Sequence, residues 1–254
     1  MGLYFWLDVI IIAFPLALSF DRKVGFVRRW PAALGAAVLV AVPYLAWDSL
    51  MSMQGAWGFA DRYAGTLRLL WLPPGEFAFF LAVPFACLFV HEVVRAYVPE
   101  RAASTTRLPW VVLAALLGAA AFLIRGRLYT STVLAATALF FAVAAAFAPG
   151  ALSRRSFWLS ILVSYVPFLL ANGLLTGLPV VTYGEKAFLG FRVVSIPVED
   201  FLYSFSLLGF NLLAYRVFRG AEASPSSTGT GDAAPLPRDR AHHVRQHQGS
   251  NENE

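Results

Sequence analysis

Charge is scarce in this chain of 254 residues, and lysine is scarcer still. Asp, Glu, Lys and Arg together make up 14% of it, against about 25% in an ordinary soluble domain. Lys23 and Lys186 both fall outside the apolar runs, which excludes a chromophore held as a Schiff base inside a helix bundle. There is one cysteine, Cys87. No disulfide within the chain is possible, so the redox compartment is not readable. No GxGxxG follows a strand pattern and no Walker lysine motif exists, so a Rossmann-type flavin or nicotinamide site is not supported. The aspartate-rich pairs of a diphosphate-binding prenyltransferase are missing too. No metal site and no cofactor is expected.

What the chain has is apolar length. Hydrophobic residues make up 58%, and the mean hydropathy is +0.63. Seven runs approach or reach bilayer-crossing length: about 3–20, 31–50, 76–95, 108–124, 128–149, 157–175 and 197–218. Backbone polar groups cannot go unpaired in lipid, so these runs are read as helices. The first has no basic residue ahead of it, carries Asp8 and lacks a small-x-small cleavage site. It reads as a signal-anchor rather than a cleaved signal peptide. Eleven Lys or Arg residues flank one side of the spans: Arg22, Lys23, Arg28, Arg29, Arg95, Arg101, Arg107, Arg154, Arg155, Arg216 and Arg219. Six flank the other: Arg62, Arg68, Arg125, Arg127, Lys186 and Arg192. The positive-inside rule predicts a multi-pass protein of the cell's inner membrane, N-terminus outside and C-terminus cytoplasmic. The formal charge of +5 then belongs to the membrane surface and needs no nucleic acid.

One unit occurs twice. VPYLAWDSLMS, a loop and LPPGEFAFF are followed later by VPFLLANGLLT, a loop of equal length and IPVEDFLYS. A shift of 124 maps Pro43 on Pro167 and Pro73 on Pro197. It also maps Asp48 on Asn172, Arg68 on Arg192, Glu76 on Asp200 and Phe77 on Phe201, without a gap. Such repetition decides the architecture. The expected fold is an all-α integral membrane protein of seven transmembrane helices. A three-span repeat occupies 1–98, a linker span 99–127 and a second three-span repeat 128–220. Three spans reverse the chain and the linker restores its direction, so the repeats are predicted to be parallel, with both motif loops on the outer face. Residues 221–254, rich in Ser, Pro, Gly, Thr and His, read as a disordered tail. Its His242, His243 and His247 read as solvated, with loose metal binding as the alternative.

Ionisable groups at membrane depth carry functional hypotheses. Glu76, Glu199 and Asp200 follow prolines at helix starts, where acids also complement the helix dipole. Capping alone does not require an acid to recur in register behind a proline and ahead of an aromatic. Adjacent carboxylates near apolar surface repel, and one protonated beside one ionised carboxyl suits acid–base work. These three are the candidate catalytic residues. Asp48 reads either as an interfacial residue beside Trp47 or as part of the site; its counterpart is Asn172. Arg68 and Arg192 read as headgroup contacts or as partners of the motif acids. His91 and Glu92 read as interfacial.

The stretches SFDRKVGFVRRW and WDSLMSMQGAWGF with LPPGEFAFFLAVPFACLFVHE resemble the first half of the membrane-integral, flavin-independent lycopene cyclases, which occur as two small subunits or as one fused chain. VVTYGEKAFLGFRVVSIPVEDFLYSFSLLGFNLLAY resembles their second half. The family pattern is proline, any residue, then two acids. Copy two keeps it at Pro197-Val198-Glu199-Asp200, whereas copy one has Gly75 in place of the first acid. The resemblance implies a β-cyclase, with ε-rings as the alternative. It acts on lycopene or a related carotenoid in the bilayer by proton-initiated ring closure, without redox change and in contact with other carotenoid enzymes. Trp47, Trp57, Phe77, Phe201 and Tyr203 would offer aromatic faces to a cation. The competing reading from the repeats alone is a small transporter or a non-catalytic carotenoid-binding protein.

Overall fold

The computed structural model describes residues 2–100 and 106–223. The expected tail beyond residue 223, with His242, His243 and His247, lies outside the described residues. Helix α1 spans Leu3–Leu18, α2 Trp30–Met53, α3 Asp61–Ala64, α4 Pro74–Tyr97, α5 Leu108–Leu123, α6 Leu128–Phe147, α7 Pro149–Leu152, α8 Arg155–Gly177 and α9 Val198–Ala223. Prolines open α2, α4 and α5, where the missing N–H has no helical partner to lose. Pro43, Pro84 and Pro167 lie inside α2, α4 and α8, as packed membrane-length helices tolerate.

Five helices, α2, α4, α6, α8 and α9, are long and apolar enough to cross a membrane. The other two expected spans, α1 and α5, have 16 residues each. At ~1.5 Å per residue each reaches ~24 Å, short of a ~30 Å hydrocarbon core.

The fold is not purely helical, as the sequence had suggested. Strands β1 (Trp57–Phe59) and β2 (Val181–Tyr183) form one antiparallel pair, and β3 (Arg192–Val193) and β4 (Ile196–Pro197) another. These segments lie between the long helices, and pairing satisfies backbone groups that helices leave over. Trp57 faces Tyr183, Gly58 faces Thr182 and Phe59 faces Val181. The shift of 124 makes Gly58 and Thr182 equivalent, so two equivalent strands pair with each other around a local two-fold axis at that position. Gly184 makes the approach possible: a Cβ there would lie 2.5 Å from the Gly55 carbonyl oxygen. The pairing brings both motif loops to the same end of the bundle, where inverted repeats would separate them.

The helices follow the same relation. α1 packs on α4, and its counterpart α6 packs on α9. α2 crosses to α9 while α8 crosses to α4. Each half therefore packs its middle helix against the other's last one, and the halves interlock. α5 has no counterpart and packs on α6. Away from the strand pair the interior is aromatic, with Phe26, Phe85, Phe89, Phe140, Phe141 and Phe157 in one buried cluster.

Candidate active site

Next to the strand pair is a cavity of about 130 Å³, room for several water molecules or a compact hydrocarbon group. Trp57, Phe59, Val181 and Tyr183 of the strands form one wall; Phe79, Val83, Phe168 and Leu207 of the long helices form others. Into this apolar space reach three buried carboxyl groups: Asp48 from α2, Glu76 from the first turn of α4 and Asp200 from the first turn of α9.

Each acid has built surroundings. The Tyr4 hydroxyl donates to Glu76 Oε2 at 2.7 Å, and the Tyr203 hydroxyl donates to Asp48 Oδ1 at 2.8 Å. The Asp48 and Glu76 carboxyl groups also lie within hydrogen-bonding reach of each other. A carboxylate only accepts, so a bond between two such groups needs a proton on one of them. Asp200 takes three donors: Tyr129 at 2.5 Å on Oδ1, with Tyr183 and Asn172 each at 2.7 Å on Oδ2. Burial and the neighbouring Asp200 carboxylate push the Tyr183 hydroxyl well above the usual tyrosine range, so it holds its proton and serves as a donor.

Glu199 is placed differently from Asp200. Its carboxylate accepts from Thr130 at 2.6 Å and from the Leu189 amide at 2.8 Å, and it does not line the cavity. It ties the second motif loop to α6. The counterpart Gly75 is explained by packing. A Cβ there would sit 3.0 Å from the Tyr4 ring, tighter than ordinary van der Waals contact. Tyr4 occupies the space an acid side chain would need.

The expected aromatic residues divide as well. Trp57 and Tyr203 line the cavity. Trp47 stacks at a tilt on Tyr203, ring centroids 5.0 Å apart, without lining it. Phe201 packs on Phe168 and Tyr165, and Phe77 is half-buried; neither reaches the cavity. Neither arginine partners the motif acids, contrary to one of the two readings from sequence. Arg68 bonds Asp61 at 2.6 Å and the Phe59 carbonyl. Arg192 bonds the Ser195 carbonyl and lies over the Tyr183 and Phe188 rings. Both brace their own loops, where backbone carbonyls are nearer than the buried acids. His91 and Glu92, read as interfacial, are buried within the protein; Glu92 accepts from Arg95, Arg219 and Tyr215. Asp8 is buried with neither carboxyl oxygen partnered among the described residues.

Sequence reasoning missed Tyr4, Tyr129 and Tyr183. A signal existed for two of them. Leu3-Tyr4 opens α1 and Leu128-Tyr129 opens α6, each tyrosine bonding the acid of its own half. The two dipeptides stand 125 positions apart rather than 124, so a gapless shift hides them. Among the described residues no group of three His, Cys, Asp or Glu is placed to hold a metal ion.

No curated protein and no solved structure matches the chain. A sequence model of the lycopene cyclase family matches residues 2–94 and again 126–218. From 2 to 126 and from 94 to 218 the offset is the same 124 residues that aligns the motifs. The matched segments take in well over half of the chain and every residue that holds the three carboxyls: the protein belongs to the lycopene cyclase family.

Proposed function

We propose that the protein is a lycopene β-cyclase whose chemistry takes place in the three-carboxyl cavity. The observation that carries this reading is the convergence of Asp48, Glu76 and Asp200 on one apolar space, two of them close enough to share a proton. The shared proton of Asp48 and Glu76 goes to the terminal double bond of lycopene. That leaves a tertiary cation, and the neighbouring double bond attacks it to close the ring. Asp200 then takes a proton from a ring carbon. One proton is added and one removed, so the product is an isomer of the substrate and no redox partner is needed. The β-ring follows when the proton leaves from one side of the new cation, and the ε-ring when it leaves from the other.

The surroundings suit these roles. Two carboxyls in contact keep one proton between them, as a donor requires. Three hydrogen bonds hold Asp200 in place facing the cavity. Trp57, Phe79, Phe168 and Tyr203 present ring faces to a passing cation. The apolar walls exclude water that would otherwise trap it. Glu199 has a supporting part, fixing the loop next to Asp200. We read all seven apolar helices as spans, α1 and α5 adjoining thinner boundary regions, with the repeats parallel and the N-terminus outside. The meeting of both motif loops at one end supports that reading.

Coexpression in cells that make lycopene tests it. The expected result is a ring-bearing product and a shift of colour from red to orange-yellow. Asp48→Asn, Glu76→Gln and Asp200→Asn should each leave lycopene unconverted while the protein stays in the membrane. Pigment bound but never cyclised would turn the reading toward a carotenoid-binding role.

A further inference from the structure

A second, much smaller cavity lies where α4, α8 and α9 meet, lined by Cys87, Ser160, Ser164 and Asn211 among apolar neighbours. It measures about 10 Å³, near the lower limit for one water molecule. Asn211 is 1% exposed, and its Oδ1 has no hydrogen-bond partner among the described residues. A buried carbonyl oxygen left unpaired is destabilising, and a water here would satisfy it. Ser164 and Cys87 line both cavities, so the small one adjoins the carboxyl site. On its other side Ser160 Oγ lies 2.8 Å from His91 Nδ1. The Ser160 hydroxyl donates to the Ser156 carbonyl, so His91 is the donor in that pair, and Ser160 keeps a lone pair for a water. Arg95, Arg154 and Arg216 lie within electrostatic reach of the imidazole.

Ser160, Ser164 and Asn211, all in the second half, are not repeated in the first. The shift of 124 puts Ala36 opposite Ser160, Val40 opposite Ser164 and Cys87 opposite Asn211. Symmetric packing does not call for these polar residues, and their burial has no apolar benefit.

We propose that a single buried water on Asn211 Oδ1 and Ser160 completes a proton path from His91 to the carboxyl cavity. At rest the water donates to both oxygens. Turning the Ser160 hydroxyl from the Ser156 carbonyl to the water lets Ser160 pass its proton to the water and the water pass one on to Ser164 or Cys87, while His91 Nδ1 gives its proton to Ser160 and the ring regains one at Nε2. Cyclisation takes a proton from the Asp48–Glu76 pair and leaves one on Asp200, so although the reaction consumes no proton, resetting the site draws one in through the path while Asp200 gives one up. The path equilibrates the Asp48–Glu76 donor with water at the far end of the bundle between turnovers. The proposal rests on that cavity being the cyclisation site.

The test uses the full-length protein in membranes made up in D2O, with deuterium per ring and turnover rate as readouts. In the unaltered protein each ring should gain close to one deuterium. Asn211→Leu removes the acceptor at similar volume; it should slow turnover about tenfold and lower deuterium per ring, with KM unchanged. Asn211→Asp, which keeps an acceptor, should restore both. Ser160→Ala should resemble Asn211→Leu. Wild-type rate and deuterium content in both Asn211→Leu and Ser160→Ala would overturn the path, as would rings free of deuterium in the unaltered protein. Failure of the underlying site shows differently: Asp48→Asn and Asp200→Asn would then cyclise normally.

Discussion

Glu76 in the first half and Asp200 in the second stand at equivalent positions, each in the first turn of its helix behind a proline, but their neighbours differ. Glu76 has one tyrosine donor and a second carboxyl, Asp48, beside it. Asp200 has two tyrosines and, at the position equivalent to Asp48, the amide of Asn172. One half thus assembles a pair that must hold a proton, and the other a single carboxylate surrounded by donors. The same helix start and the same kind of acid sit in different surroundings, because one substitution near the end of the middle helix, acid against amide, changes what each carboxyl meets.

The comparison breaks most clearly at the acids. Asp48→Asn, Glu76→Gln and Asp200→Asn should each lower the cyclisation rate 10²–10⁴-fold, the usual loss for an acid or base. Measured product formation in the Asp48→Asn, Glu76→Gln double variant should fall little further than in either single one, since both remove the same shared proton. Full additivity would mean the two acids act separately.

The tyrosines give the next effect. Tyr4→Phe and Tyr129→Phe each delete one hydrogen bond to a charged group, worth about 1.5–3 kcal/mol, or roughly 10- to 150-fold in rate. The loss should be larger for Tyr4, because Asp200 retains Tyr183 and Asn172 whereas Glu76 retains only Asp48. Initial rates on lycopene for the two variants would reverse the reading of the halves if Tyr129→Phe proved the worse.

A smaller effect concerns stability. Gly75→Glu writes the second copy's sequence into the first and forces a side chain against the Tyr4 ring. It should destabilise by about 1–3 kcal/mol, the range for overpacking, visible as a lower melting temperature in detergent. Tyr4→Ala in the same chain should recover part of it. The smallest change is expected for Arg68→Ala. Its ion pair with a largely exposed Asp61 is worth about 0–1 kcal/mol, so ring formation should stay within a few-fold of normal.

Much of this was legible in the chain. The gapless offset located both copies and the equivalence of Glu76 with Asp200, because proline and acid at a helix start are local signals. Asp48 and Asn172 were named as a pair, but what each does to the neighbouring acid needed the packing of α2 on α4 and of α8 on α9. Tyr4 and Tyr129 were hidden by a slip of one residue, which a shift without gaps does not tolerate. Glu199 was read together with Asp200 because they are adjacent. Successive helical residues point about 100° apart, and the structure sends one to the cavity and the other to Thr130. The arginines matched in register for a local reason, bracing similar turns, and sequence alone does not distinguish that from a role at the acids.

The pairing of β1 with β2 gives the chain the form of a dimer joined into one polypeptide, and this bears on its ancestry. Two identical copies arranged on that axis would surround their acids identically, so donor and acceptor would be chemically the same group. A transfer that begins at one carboxyl and ends at another needs them to differ. Joining the copies in one chain lets Asp48 and Asn172 diverge at a single equivalent position while the strands and helices that hold the halves together stay alike. Duplication followed by local divergence is thus a direct route from a symmetric membrane bundle to a directional one.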